Sequence, residues 1–251
     1  MPEKVVIGNA ELWHGDFRDI AEAGAFAKLP FDAAVISDPP YSSGGYQEAG
    51  KGAGSIGSTV EHQIQGDTYS TRGYLRLIRG LGQTFRVAEC YLFTDWRMWP
   101  YTVDAVEDAG FRVRSMIVWN KLHGGMGIKW RSQHELVCWG ARGTLKAGGG
   151  TGNVLNVGRS GNAHHPTEKP VSVMRELVRA SGRKLIIDPF MGSGTTGIAA
   201  VAEGCRFIGC EIERKHFETA CERLQNEYAQ GKLDMPEPLA PQEQAGLALE
   251  P

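Results

Sequence analysis

Three acidic residues stand where short apolar runs end: Asp38 after "FDAAVIS", Asp188 after "RKLII" and Glu211 after "CRFIGC". In an open α/β sheet, ligands lie in the crevice beyond the carboxyl ends of the strands, so acids there are the first candidates for chemistry. Asp38 is followed by Pro39, Pro40 and Tyr41. Each proline fixes its own φ and lacks an N–H, and Asp38 is held extended by the proline after it. The result is a stiff corner rich in acceptors. The Asp38 carboxylate and the Pro39 carbonyl can both accept from an NH2 group, and Tyr41 offers a ring face for a planar base to stack on. A simple strand-ending turn is the competing reading of "DPPY".

Asp188 opens "DPFMGSGTTG", in which Gly192 to Gly197 have G-x-G-x-x-G spacing. A strand precedes the run, the helical "TGIAAVAEG" follows it, and Glu211 comes 23 residues after Asp188, placed to bind a ribose diol. A tight strand-to-helix turn with no ligand is the alternative. The absence of G-K-[ST] speaks against a triphosphate loop. A nicotinamide dinucleotide stays formally open, but an acid directly before the turn would repel its pyrophosphate and would suit a cationic amine or sulfonium instead.

Strands alternating with helical patterns position these acids. The strand-like runs are "FDAAVIS", "ECYLFTD", "FRVRSMIVWNK", "HELVCWG", "RKLIID" and "CRFIGCE". An Arg-rich helical stretch precedes the second, "PVSVMRELVRASG" begins with Pro170 and ends with Gly182, and "RKHFETACERLQNEY" follows the last. The pattern predicts an α/β fold with a largely parallel sheet. One domain over residues 1–233 is expected, with long glycine-rich loops over 42–66 and 140–163 and a Pro-, Glu- and Gln-rich tail, 234–251, expected to be disordered. There is no internal repeat.

Five cysteines without a C-x-x-C pair read as reduced, mostly buried thiols, and no run is long and apolar enough to span a bilayer. With no apolar leader at the start, the expected location is cytoplasmic. The net charge of −2 does not advertise nucleic acid, but the middle of the chain is basic. Arg72, Arg76, Arg79 and Arg86 have no acid among them. From Arg112 to Lys146 seven cations face one acid, Glu135. Such a region can form a phosphate-binding face or a set of solvated surfaces.

Together these residues resemble the S-adenosylmethionine-dependent amino-methyltransferases of DNA. The family's [D/N/S]-P-P-[Y/F/W] is matched by Asp38, Pro39, Pro40 and Tyr41. Its D-P-F-x-G-S-G-T-T is matched by Asp188, Pro189, Phe190, Gly192, Ser193, Gly194, Thr195 and Thr196. "HPTEKP", His165 to Pro170, and "WHGDFRDI" resemble two further family segments, and the catalytic motif precedes the cofactor motif as in the β class. The resemblance implies a Rossmann-like class I methyltransferase fold, a mostly parallel sheet flanked by helices, with S-adenosylmethionine as cofactor and DNA as partner.

It implies catalysis by Asp38, Pro39, Pro40 and Tyr41. Gly192, Ser193 and Gly194 would meet the cofactor's methionine end, with Asp188 near its ammonium. Glu211 would bind the ribose hydroxyls, Asp16 and Phe17 would lie near the adenine, and Thr167 and Lys169 near the methionine carboxylate. Asp38, Pro189, Phe190 and Thr195 complete the cofactor set. A solvated Lys169 is the alternative, and His164 and His165 read as structural, with no metal site. An aspartate at the head of the catalytic motif favours adenine N6, with cytosine N4 as the alternative. RNA or protein methylation, or a relative that only binds DNA, are further readings. Dimers occur among such enzymes, and these residues do not decide the point.

Overall fold

The apolar runs become the middle of one sheet. The computed structural model describes residues 2–40, 71–125, 129–145, 150–159 and 169–231. Tyr41, His164, His165 and Thr167, the loop expected over 42–66 and the tail expected over 234–251 lie outside the described residues. The nine strands are β1 (Glu3–Ile7), β2 (Ala10–His14), β3 (Ala34–Ser37), β4 (Glu89–Thr94), β5 (Arg112–Asn120), β6 (His134–Ala141), β7 (Val154–Asn156), β8 (Leu185–Asp188) and β9 (Arg206–Glu211). They form one sheet in the order β1-β2-β9-β8-β3-β4-β6-β5-β7. The run β2-β9-β8-β3-β4 is parallel, β1 is antiparallel to β2, and β6 is antiparallel to both β4 and β5.

Every residue of β3, β4 and β8 is buried, because helices cover both faces of these strands. On one face α4 (Val171–Ser181), α5 (Thr195–Ala202) and α6 (Arg214–Gly231) pack Val173, Leu177, Ala199, Phe217 and Leu224 against Ala34, Ile36 and Ile186. On the other, α1 (Phe17–Glu22), α2 (Thr71–Thr84) and α3 (Trp99–Asp108) pack Phe17, Ile20, Leu77, Ile78 and Val106 against Val35, Leu92 and Ile187. Alternate residues of β3 thus serve opposite faces, as a period of two requires.

From β8 the chain crosses through α5 to β9 on one side, and from β3 it crosses through α2 to β4 on the other. The crevice where the strand order reverses therefore opens between β8 and β3, which bear Asp188 and Asp38 at their carboxyl ends. β3 precedes β8 by about 150 residues in the chain yet pairs with it directly.

The expected 140–163 loop is corrected in part. β6 runs on to Ala141, and β7 pairs with β5 in parallel through Val118↔Val154, Trp119↔Leu155 and Asn120↔Asn156. A three-residue strand among glycines is too short to show an alternating pattern. The basic middle is also redistributed. Arg142 stacks 3.9 Å from the Phe111 ring centroid and donates to the carbonyls of Gly82, Phe85, Ala109 and Gly110, closing the ends of α2 and α3. Arg79 is paired with Asp108. Arg72 and Arg76 are exposed. All five cysteines are free thiols, four of them buried.

Candidate functional site

Asp38 leaves the end of β3 with its side chain about three-quarters buried. Its Oδ2 accepts from the Lys169 ammonium, while its Oδ1 is buried and has no hydrogen-bond partner among the described residues. An acceptor of this kind is costly unless a ligand completes it. Burial pushes the Asp38 carboxyl up, Lys169 opposes this and Glu135 reinforces it. Pro39 is buried and Pro40 half-buried beside it.

Lys169 is the main surprise. Two readings were open for it, a solvated lysine and a partner of a ligand carboxylate. The structure buries it to 7% exposure just before α4 and places its Nζ on Asp38, 3.4 Å from Glu135 Oε2 and 5.3 Å from the Phe93 ring centroid. Glu135 in turn accepts from Lys121. Glu135, from the start of β6, is a site residue that the motifs did not reveal. Its only sequence signal is its position as the lone acid among the cations from Arg112 to Lys146.

Asp188 is 2% exposed and accepts three hydrogen bonds. Its Oδ1 takes Ser37 Oγ at 2.5 Å and the Phe190 N–H at 3.1 Å, and its Oδ2 takes Thr196 Oγ1 at 2.5 Å. Burial raises its carboxyl to about 6. Asp188 thus bolts the turn to β3 and α5, and any ligand must use the remaining lone pair. The glycines divide the work of the turn. Gly192 and Gly194 have φ of 52° and 83°, a left-handed backbone that side chains disfavour. A Cβ on Gly194 would lie 2.9 Å from Ala220 Cβ, and one on Gly197 2.7 Å from the Phe207 ring. These glycines let α5 sit close to α6 and β9, with the first N–H groups of α5 facing the crevice without a side-chain cap. Arg223 of α6, not singled out by any motif, holds the turn by donating to the Ser193 carbonyl and hydroxyl, both at 2.8 Å.

Glu211 ends β9 and is half-buried. Its Oε2 accepts from the Gly192 N–H at 2.9 Å and its Oε1 from the Glu213 N–H at 2.8 Å, so the carboxylate is fixed with lone pairs to spare. Burial raises it to about 7 against these bonds. Beside it, the Gly15 N–H donates to the Glu211 carbonyl at 2.8 Å and brings the start of α1 alongside. Asp16 caps α1 by accepting from the Arg18 N–H at 2.9 Å and is paired with the Arg18 guanidinium, which lowers its carboxyl. Phe17 is 2% exposed, a core residue that meets Phe190 edge-on at 5.5 Å. It borders the crevice only through Phe190, which is half-buried.

The structure therefore brings together Asp38, Lys169, Asp188, the 192–195 turn and Glu211 along one edge, with Asp16 and Phe190 at its far end. An uncapped helix start, a fixed carboxylate at the next strand end and an unpartnered catalytic-type carboxylate oxygen fit a nucleoside bearing a charged tail. Among the described residues no group of three or more His, Cys, Asp or Glu is placed to hold a metal ion. Nor is any described helix long and apolar enough to cross a membrane.

Known proteins share this fold and part of this sequence. A family profile described as DNA methylase matches residues 144–222. The type II methyltransferase M2.DpnII of Streptococcus pneumoniae is 26% identical over 227 residues, covering 77% of this chain and 82% of its own. The crystal structure of an M1.HpyAVI–SAM complex superposes with a TM-score of 0.61 at 23% identity, covering 86% of this chain and 98% of that one. PvuII DNA methyltransferase, named as cytosine-N4-specific, superposes with a TM-score of 0.64 at 13% identity over 90% and 93%. The fold is that of the class I DNA methyltransferases.

Proposed function

We propose, on the premise that this chain is a DNA amino-methyltransferase in family resemblance and fold, that it methylates the exocyclic N6 amine of adenine in a base turned out of the duplex. The observation that carries the reading is the unpartnered Asp38 Oδ1 at the strand-order reversal, beside a turn and a fixed Glu211. When bound, S-adenosylmethionine supplies a methyl group on a cationic sulfur. The α5 start and the Gly192–Gly194 backbone would hold its methionine end, Glu211 its ribose hydroxyls, and Asp16 and Phe190 would border its base. The solved M1.HpyAVI complex with SAM, on the same fold, supports that cofactor.

The amine of a nucleobase is a poor nucleophile because its lone pair is delocalised into the ring. Asp38 Oδ1 and the Pro39 carbonyl accept its two N–H protons, which draws the nitrogen out of the ring plane and localises the lone pair. Asp38 then takes the proton that the methylated nitrogen sheds. Positioning and fixed dipoles carry the acceleration. Tyr41, outside the described residues, is assigned the stacking face on its motif position. Turning the base out costs a few kcal/mol. Trp130, 96% exposed between Lys129 and Arg131 on the β5–β6 connection, lies on the site side of the sheet, where it can meet the duplex.

The test is incubation with S-adenosylmethionine and unmodified DNA, followed by digestion to nucleosides and mass spectrometry. N6-methyladenine is expected. N4-methylcytosine, the modification named for the PvuII relative, would move the base assignment and keep the mechanism. Methyl groups on RNA or protein alone would sink the DNA reading.

A further inference from the structure

Four charged side chains from four separate places alternate in sign along the site edge: Asp38 after β3, Lys169 before α4, Glu135 on β6 and Lys121 after β5. Their side chains are 25%, 8%, 20% and 14% exposed. One carboxylate suffices to neutralise a buried ammonium, and here Lys169 has two. Asp38 accepts from it directly, whereas Glu135 Oε2 stands at 3.4 Å and makes no hydrogen bond. Glu135 keeps its own tight partner in Lys121, whose ammonium lies 4.9 Å from the Trp119 ring centroid.

We propose that Lys169 and Glu135 are positioning residues for Asp38: Lys169 fixes one carboxylate oxygen so that the other faces the target amine, and Glu135 shares the lysine so that Asp38 keeps its power to accept a proton. The inference rests on the proposed amine methylation. Its chemistry is a division of labour. A carboxylate tied to one undivided cation is a weak acceptor, and the shed proton would then have to leave by another route. A second carboxylate on the same cation restores the first as a base without loosening its rotamer. Every resolved charge that acts on Asp38 fits this scheme. Lys169 and Lys121 pull its carboxyl down, and Glu135 pushes it up. Among the described residues, Asp188 of β8 and Tyr74 of α2 are the remaining titratable neighbours. Both are buried, and neither donates to Asp38.

The test compares wild type with Glu135→Gln, of nearly the same shape, and Glu135→Asp, which keeps the charge. The Asp38 carboxyl is titrated by 13C NMR, assigned through Asp38→Asn, and single-turnover methylation and S-adenosylmethionine affinity are measured on the same samples. In Glu135→Gln the Asp38 midpoint is expected to move down, methylation to slow by roughly tenfold and cofactor affinity to change by less than about twofold. Glu135→Asp is expected to recover most of the rate. An unmoved midpoint overturns the proposal. So does a loss of rate matched by an equal loss of cofactor affinity, which would assign Lys169 to the cofactor instead. A shifted midpoint in a wild-type protein that methylates no DNA would leave the charge sharing standing and remove the function proposed above.

Discussion

Asp38 and Glu211 are both carboxylates at strand ends, yet their surroundings assign them opposite duties. Asp38 keeps an open oxygen, whereas both oxygens of Glu211 are pinned by backbone N–H groups. Asp38→Ala is expected to slow single-turnover transfer at least about a hundredfold, with cofactor affinity within a few-fold of wild type. Near-normal transfer would end the catalytic assignment. Glu211, raised to about 7, is ionised above that pH and neutral below it. Hydrogen bonds to a charged acceptor are stronger by about 1 kcal/mol, so cofactor affinity should fall roughly fivefold as pH drops through 7. Calorimetry with Glu211→Gln, which has no such charge to lose, should give a flat profile at the weak end. The positions of these two acids were legible in the sequence because each ends an apolar run, Asp38 before two prolines and Glu211 23 residues after Asp188. The burial of Lys169 against Asp38 was not. Its partner Asp38 is 131 residues away, and nothing local distinguishes a buried lysine from a solvated one before a helix.

At the scale of elements, the strands that read most clearly were those buried on both faces, β3, β4, β8 and β9, where continuous apolar residues leave little choice. β1 and β2 escaped because each has only five residues, and four of the five residues of the edge strand β1 are not fully buried. α1 has six residues and no repeat to display. The turn before α5 was read as a ligand loop from its glycine spacing between a strand and a helix, with Glu211 downstream, and packing gives two of those glycines a second reason. Gly194→Ala meets both a φ of 83° and the Ala220 side chain. It should cost about 2 kcal/mol or more. Thermal unfolding measures the loss, and an unchanged melting temperature would show that α6 yields more easily than its packing implies.

Across the whole molecule, charge placement decides how DNA is met. α2 begins on the site side of the sheet and runs away from it, so Arg72 and Arg76 stand nearer the crevice than Arg79, and Asp108 already neutralises Arg79. Of the three arginines on α2, Arg72 and Arg76 are therefore the ones left to meet phosphates. Replacing Arg72 and Arg76 with alanine should lower the salt slope of DNA binding by about 2, whereas Arg79→Ala should leave it unchanged. Equal slopes for all variants would place the DNA elsewhere. Trp130→Ala should weaken binding without altering the slope, since stacking releases no counterions.

The sheet order also carries a consequence in time. β2, translated well before β9, finds its parallel neighbour only there, and the Asn9 side-chain N–H donates to the Cys205 carbonyl at 2.9 Å. Of the two strands beside Asp38, β4 follows soon after, but β8 and the wall carrying Glu211 emerge about 150 and about 170 residues later. Long-range parallel pairing is slow, and an unfinished sheet leaves its edges bare. Ribosome-stalled chains of increasing length should resist protease only once β9 has left the exit tunnel, and earlier resistance would contradict this order. A chain synthesised only just past β3 would thus hold the proposed catalytic corner without any seat for the methyl donor, so the two halves of the chemistry meet only once β9 has been made.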